Sequence, residues 1–243
     1  MTAAVTVYTP GPLGGTTTAI GFTVAAASGS QAALWSDGFN RPNALMTNEY
    51  AYFNPQDTNA ASSPGWSVTA GSLFVDNNEA WTGVPDDGNP NAASSNATGS
   101  SVFRAQTKRA DFGDASATLS LTNKGFATTP STPAQAYDGA SLALRYRGDS
   151  SYYEAAFNRR DNTVVLRKKS GAALTTLASA AHNVVFDAPQ SVSASVFNNA
   201  DGSVALSLAI NGVALLSVAD AGAGGAPLRD AGAVGVRGNN VNF

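Results

Sequence analysis

The segment YDGASLALRYRGDSSYYEAAF, residues 137–157, consists of two alternating stretches joined by the polar turn Gly-Asp-Ser-Ser. Alternate side chains of a β-strand lie on opposite faces of the sheet. On one side of the predicted hairpin we therefore place Leu142, Leu144, Tyr146, Tyr153, Ala155 and Phe157, and on the other Arg145, Arg147, Tyr152, Glu154 and Asn158. The pattern predicts an antiparallel sheet with one packed face and one face open to its surroundings.

The composition fits a protein made of strands and turns. Of the 243 residues, 43% are hydrophobic and only 13% are charged, with 24 glycines. A single β domain can reach this length, so two domains are not required. With no cysteine, neither a disulfide nor a thiolate metal site is possible, and stability must come from the buried core.

Charge and hydropathy exclude two classes of partner. The formal charge is -3, and the isoelectric point is about 5.0, whereas binding to a nucleic-acid backbone depends on accumulated lysine and arginine. The first eight residues lack the pattern of a secretory signal, and no apolar run approaches the length of a membrane helix. We therefore expect neither a nucleic-acid partner nor insertion into a membrane.

The chain divides at about residue 34. Residues 1–33 are rich in threonine, alanine and glycine, and two short β-like pieces, 5–8 and 20–24, predict an extended arm or an added strand pair. From Leu34 to Phe243, strands and turns follow one another. We therefore expect one domain over residues 34–243, with an N-terminal arm before it.

The strand pattern is clearest near the C-terminus. Val204–Ile210 alternates apolar and small residues, and Asn211-Gly212 then turns the chain into Val213–Val218. Asn-Gly between alternating runs is typical of a type I′ hairpin turn, because both central residues need a positive φ. The alanine-rich stretch 172–181 is the only candidate for a helix, and its two threonines weaken it. Roughly a dozen strands predict an all-β fold, a two-sheet antiparallel jelly-roll sandwich.

The order of several motifs resembles concanavalin A-like (laminin G-like) jelly-roll domains, and more narrowly those of minor tail and other virion proteins of actinobacterial phages. The resemblance covers about residues 35–243. It rests on WSVTAGSL (66–73), LRY (144–146), YY (152–153), NG (211–212), SVAD (217–220) and GAVGVRG (232–238). The narrower likeness adds DGFNRP (37–42), VFR (102–104), KRADFG (108–113) and NRRDN (158–162).

The resemblance implies a structural protein of a virion. A tail fibre, a tail decoration and a capsid decoration all remain open, and so does the alternative of a protein secreted by a non-classical route. The family pattern also implies a further strand after Phe243, so either a last strand is missing from this chain, or a neighbouring chain or the arm completes the sheet.

Catalysis has little support in the sequence. His182 is the only histidine, and no Gly-x-Ser-x-Gly elbow is present. Jelly-roll glycosidases place paired carboxylates on one strand, but none of the three glutamates has a second acid two residues away. We therefore expect a protein that is not an enzyme, with a glycan-cleaving enzyme as the remote alternative.

Calcium is possible through the resemblance, because related jelly rolls hold the ion with an early aspartate and one on the last strand. Asp37 matches the first position. The second ligand would belong to the strand that is missing here, so a salt bridge or a turn cap is the competing role for Asp37. We expect no other cofactor.

Glycan binding requires an aromatic platform for the apolar sugar face and polar groups for the hydroxyls. The candidate residues are Trp81, Arg145, Arg147, Tyr152, Arg159 and Arg160. Trp35, Trp66 and Tyr146 are assigned to the core, which is also the competing role for Trp81. The arginines have cross-strand ion pairs as their competing role.

Together these observations predict a non-enzymatic phage virion protein, a minor tail or decoration protein whose sandwich contacts glycan on the host surface. We expect a homo-oligomer that is attached to other virion proteins through residues 1–33. A free carbohydrate-binding module or lectin is the alternative.

Overall fold

The computed structural model describes residues 22–26, 33–83 and 101–243. These contain eighteen strands and one short helix. The first half holds β1 (Phe22–Ala26), β2 (Trp35–Asp37), β3 (Ala44–Asn48), α1 (Glu49–Phe53), β4 (Trp66–Ala70), β5 (Ser72–Asp76), β6 (Glu79–Trp81), β7 (Val102–Thr107), β8 (Ala115–Thr122) and β9 (Gly125–Phe126). The second half holds β10 (Gly139–Tyr146), β11 (Ser151–Phe157), β12 (Thr163–Ser170), β13 (Ala173–Ala181), β14 (Pro189–Asn198), β15 (Val204–Ile210), β16 (Val213–Asp220), β17 (Ala233–Asn239) and β18 (Val241–Asn242).

Two large antiparallel sheets form the sandwich. One has six strands in the order β16-β15-β14-β8-β1-β2, and the other has seven in the order β13-β12-β11-β10-β17-β7-β4. A three-stranded sheet, β3-β5-β6, and the pair β18-β9 complete the fold. The all-β jelly-roll sandwich expected from the sequence is confirmed.

The core lies between the two large sheets. β8 and β15 alternate regularly between buried and partly exposed residues, which is the pattern of a sheet with one packed face. β10, β11 and β17 are instead buried along nearly their whole length. The largest fully buried apolar side chains are those of Trp66, Tyr153, Phe22, Phe112 and Phe157.

Part of the N-terminal region belongs to the sandwich. β1 pairs with β8 on one side and with β2 on the other, and the side chains of Phe22 and Val24 are fully buried. The predicted boundary at residue 34 therefore falls between two paired strands. The region predicted as an arm thus supplies one strand of the six-stranded sheet. The other predicted piece, residues 5–8, lies outside the described residues.

Local structure departs from the predicted pattern in the 137–157 hairpin. The pairing of β10 with β17 is irregular between Ala143 and Tyr146, and Arg145 has a φ of 50°. This irregularity interrupts the alternation, so Arg145 is buried and Tyr146 packs beside Tyr152. The placement of Tyr146 with the core and of Arg145 on the open face is therefore wrong.

The alanine-rich stretch 172–181, the only candidate for a helix in the sequence, is strand β13, which pairs with β12.

The helix α1 was not expected. It begins after Asn48, whose side-chain oxygen accepts a hydrogen bond from the N–H of Ala51 at 3.3 Å. None of the helices in the described residues is both long and apolar enough to cross a membrane.

Candidate functional site: the outer face of the seven-stranded sheet

The side of the seven-stranded sheet that is turned away from the six-stranded sheet carries polar side chains. Core residues such as Leu142, Tyr153 and Val236 alternate with them along the strands. We call this side the outer face and define it by Arg104, Gln106, Ser141, Tyr152, Glu154, Arg167, Lys169 and Arg237.

The strand registers determine which side chains are cross-strand neighbours on the outer face. Arg237 lies opposite both Arg104 and Ser141, and Glu154 lies opposite Arg167. Tyr152 lies opposite Lys169. Residues directly opposite each other on one face are close enough to interact, so the register builds one continuous polar surface across five strands.

Arg237 stacks on two tyrosines. Its guanidinium carbon lies 4.5 Å from the ring centroid of Tyr152 and 5.5 Å from that of Tyr146. One oxygen of Asp149 accepts hydrogen bonds from Arg237 Nη2 at 3.0 Å and from the Tyr146 hydroxyl at 3.1 Å. Cation–π stacking and the shared carboxylate thus hold four side chains in one arrangement.

Glu154 is fixed in the same surface. Its carboxylate accepts a hydrogen bond from the Ser141 hydroxyl at 2.7 Å and forms an ion pair with Arg167, also at 2.7 Å. The side chain of Glu154 is buried, as is the ring of Tyr152. These groups are ordered by the strands that carry them, which suits a surface that binds without rearrangement.

The helix α1 places exposed aromatic residues beside this surface. Tyr52 and Phe53 are 56% and 69% exposed, and their rings pack edge to face with centroids 4.9 Å apart. Tyr52 is near enough to Tyr146 to contribute to raising its pKa. Large exposed aromatic side chains next to fixed polar groups are typical of ligand-binding surfaces.

The environment raises the pKa of both tyrosine hydroxyls, which are protonated at neutral pH. Burial, and then the negative charge of Asp149, raise the pKa of Tyr146 to about 12. Burial also raises the pKa of Tyr152, against the opposing effect of Arg237. Both hydroxyls can therefore donate and accept hydrogen bonds at neutral pH.

Of the six glycan-binding candidates from the sequence, the structure places Tyr152 on the outer face, where its ring is buried and stacked against Arg237. Arg145 is not available to a ligand, because its side chain is fully buried. It donates to Asp114 at 2.8 Å, to Asn198 at 2.9 Å and to the carbonyl oxygen of Leu228 at 2.7 Å. It thereby joins the end of β10 to the residue before β8, to the end of β14 and to the connection between β16 and β17.

The other three arginines form ion pairs with nearby aspartates. Arg147 pairs with Asp230 at the surface, which is the competing role considered for it. Arg159 pairs with Asp161. Arg160 donates to Asp138 at 3.2 Å and lies 4.3 Å from the ring centroid of Phe126.

Trp81 lies apart from these residues, in the three-stranded sheet. The residue is 37% exposed, and its ring packs against that of Phe74, with centroids 5.5 Å apart. It lines a mainly apolar cavity of about 70 Å³ that reaches core residues of both large sheets, Phe22 and Phe103 among them. No described contact joins Trp81 to Tyr152.

Asp37 has a structural role in this arrangement. One carboxylate oxygen accepts the N–H of Phe39 at 2.8 Å and pairs with Arg41, and the other accepts the indole N–H of Trp66 at 3.0 Å. These partners are donors rather than metal ligands, and no group of three or more acidic or histidine side chains suited to a metal occurs in the described part of the chain. The residues around Asp37 do not fit a calcium site.

The glutamates are dispersed. Glu49 lies in α1, Glu79 in β6 and Glu154 in β11, so no strand carries two of them. Burial raises the pKa of Glu79. The sequence also has two adjacent acids in a polar segment, Asp86 and Asp87, which lie outside the described residues.

Sequence reasoning missed Arg237, Asp149, Arg104 and the aromatic pair of α1. Arg237 lies within the GAVGVRG motif, but nothing local indicates that it faces Tyr152. Its alternation with Val234 and Val236 could have shown that it points away from the core.

Comparison with known proteins gives likeness in fold only. The sequence matches no protein-family model and no curated protein. Among solved structures, the chain is similar to the carbohydrate-binding module CBM66 from Bacillus subtilis, with 11% identity, a TM-score of 0.52, and coverage of 73% of this chain and 89% of that one.

Two further structures have lower scores. A Bacillus subtilis protein of unknown function with a galectin-like fold has 14% identity, a TM-score of 0.48, and coverage of 73% and 84%. The metal-free carbohydrate recognition domain of Emp46p has 10% identity, a TM-score of 0.46, and coverage of 83% and 90%. At such identities the likeness concerns the fold alone: this chain has the fold of a two-sheet antiparallel jelly-roll β-sandwich.

Proposed function

We propose that this chain is a non-enzymatic glycan-binding protein and that the glycan lies on the outer face of the seven-stranded sheet. The arrangement of Arg237 stacked on Tyr146 and Tyr152 and tied to Asp149 carries this proposal. The apolar face of the sugar would stack on the exposed rings of Tyr52 and Phe53. The sugar hydroxyls would bind to the polar side chains of the outer face next to α1. The carbohydrate-binding module that shares the fold is a precedent for such a use.

We further propose that the protein is part of a phage virion, as a minor tail or decoration protein, and that it acts there as an oligomer. This setting is supported by the motifs of residues 35–243 that resemble phage virion domains. Since β1 is paired on both edges, attachment to other virion proteins would use residues before Phe22.

The test of glycan binding is a glycan array probed with the purified protein, followed by titration calorimetry with the best ligand. Tyr52→Ala removes a side chain that is 56% exposed and should weaken binding at least about tenfold if the ring stacks on sugar. Tyr137→Ala is the matched control, because Tyr137 is 50% exposed and precedes the opposite end of β10 from Tyr146. No binding to any glycan, or equal loss in both variants, would refute the proposal.

The proposed role as an oligomeric virion protein is tested by light scattering, which measures the mass in solution of the full chain and of a chain lacking residues 1–21. An oligomer that becomes monomeric after truncation supports attachment through the N-terminal region. A monomer in both forms that still binds glycan supports the alternative of a free binding module. Release of reducing ends from cell-wall polysaccharides by the purified protein would contradict a non-enzymatic role.

A further inference from the structure

Two arginines face each other on the outer face. Arg104 in β7 and Arg237 in β17 are direct cross-strand partners, a position in which like charges destabilise a sheet. Arg237 has Asp149 as its counter-ion. Within residues 22–26, 33–83 and 101–243, no ion pair joins Arg104 to a carboxylate.

Arg104 is held by neutral acceptors instead. Its Nη1 donates to the carbonyl oxygens of Phe103 and Gly238, and its Nη2 donates to Asn239 Oδ1, each at 2.7 Å. These bonds fix the orientation of the guanidinium but do not neutralise its charge. Burial, and then the charge of Arg237, lower the pKa of Arg104 to about 10, so the side chain remains a cation at neutral pH.

The outer face as a whole is positive, although the chain carries a net charge of -3. Among the strands of the seven-stranded sheet, the outward charged residues are Arg104, Glu154, Arg167, Lys169 and Arg237, and Asp149 lies in the adjoining turn. Four cations thus stand against two carboxylates. Concentrating positive charge on one surface of an acidic protein favours an anionic ligand there.

Both arginines keep N–H groups for which the structure shows no acceptor, although the Arg237 side chain is only 10% exposed. A guanidinium has five N–H groups, and the contacts above use three on Arg104 and one on Arg237. Planar arrays of such donors match the oxygens of a carboxylate or a phosphate.

We propose that the glycan bound on the outer face is anionic and that its carboxylate or phosphate oxygens bind between Arg104 and Arg237. This inference rests on the proposed glycan-binding function. The bound anion would supply the missing counter-charge for Arg104 and relieve its repulsion from Arg237.

The test compares three probes by titration calorimetry: an oligogalacturonate, the same oligosaccharide fully methyl-esterified, and a phosphorylated oligomannoside. We expect at least one anionic probe to bind at least about tenfold more tightly than the esterified one, since hydrogen bonds to charged groups are the stronger ones. Arg104→Gln should remove this preference. Arg229→Gln, the same change at an exposed position whose guanidinium donates to the carbonyl of Asn199, should preserve it.

The outcomes separate the inference from the proposed function. Preference for either anionic probe that is lost in Arg104→Gln supports the inference, and the comparison between the two probes identifies a carboxylate or a phosphate. Equal binding of charged and esterified probes, or a preference that survives Arg104→Gln, overturns it while glycan binding stands. If the wild-type protein binds no glycan on the array and none of the three probes, both fail.

Discussion

Lys168 in β12 and Asp220 in β16 join the two large sheets through a fully buried ion pair. Lys168 Nζ lies 2.8 Å and 3.0 Å from the two carboxylate oxygens of Asp220, and neither side chain is exposed. The Tyr153 hydroxyl donates to the same carboxylate at 2.7 Å, and Lys168 also donates to the carbonyl oxygen of Gly225 at 2.6 Å. The pair is therefore satisfied by hydrogen bonds, which a buried charge requires.

Replacing one partner of this pair should be costly. We expect Asp220→Ala to lower the free energy of unfolding by about 3–5 kcal/mol, because it leaves the Lys168 ammonium buried without its counter-ion. The double variant Lys168→Met with Asp220→Ala should lose less than the sum of the two single variants. Chemical denaturation measures the free energy of unfolding of Asp220→Ala, of Lys168→Met and of the double variant.

The exposed pair of Arg147 with Asp230 is the control for this prediction. Its side chains are 53% and 76% exposed, so Asp230→Ala should cost less than about 1 kcal/mol. A loss at Asp220 as small as that at Asp230 would contradict a stabilising role for the buried pair.

Asp220 should also make stability depend on pH. Burial alone would raise the pKa of its carboxyl, but hydrogen bonds from Lys168 and Tyr153 outweigh this and hold the pKa below its ordinary value. A carboxyl whose pKa is lower in the folded state adds stability above its unfolded pKa, about 4, and loses it as the pH falls through the folded value.

The stability difference between the wild-type protein and Asp220→Asn should therefore be largest near pH 7 and shrink below about pH 4. Denaturation series at pH 7, 5 and 3 measure it. A difference that stays constant across this range would show that the titration of Asp220 contributes nothing.

The sequence predicted local β-structure well. Val204–Ile210 is strand β15 with the predicted bounds, and the following Asn211-Gly212 turn has φ values of 51° and 78°, as a type I′ turn needs. The hairpin could be predicted because its signal lies within neighbouring residues. The stretch 172–181 had an ambiguous local signal, and its pairing with β12 made it a strand.

The candidate site depends on contacts between distant segments, which is why it was predicted only in part. Arg104 and Arg237 become neighbours because β7 pairs with β17, and no local pattern specifies that pairing. Tyr146 joins the outer face because the irregularity at Arg145 shifts the alternation. The partners that hold Arg145 inward are distant in the sequence: Asp114 directly precedes β8, and Asn198 ends β14.

Gly232 should be required for the irregular backbone at Arg145. A Cβ at Gly232 would lie 2.5 Å from the carbonyl carbon of Arg145 and 2.8 Å from the nitrogen of Tyr146, closer than atoms can approach. We expect Gly232→Ala to destabilise the protein by about 2 kcal/mol or more, since the backbone would have to move. It should also weaken glycan binding, because Tyr146 would shift with it.

Gly38→Ala is the matched control for that substitution, because no atom lies within 4 Å of its added Cβ. Thermal denaturation and calorimetry on both variants check the prediction. Equal stability of the two variants would mean that the backbone at Arg145 can relax away from Gly232.

The last prediction concerns β1, which the sequence placed in an arm outside the domain. Phe22 is fully buried, and its ring packs edge to face against Trp35 and Trp66 at centroid distances of 5.7 Å and 5.4 Å. Phe22→Ala should therefore cost about 3–5 kcal/mol, as expected for truncating a phenylalanine in a packed core. Thr23→Ala, the next residue of the same strand and only partly buried, should cost less than about 1 kcal/mol. Chemical denaturation of both variants checks this, and a Phe22→Ala protein as stable as the wild type would mean that β1 is not part of the stable core in solution.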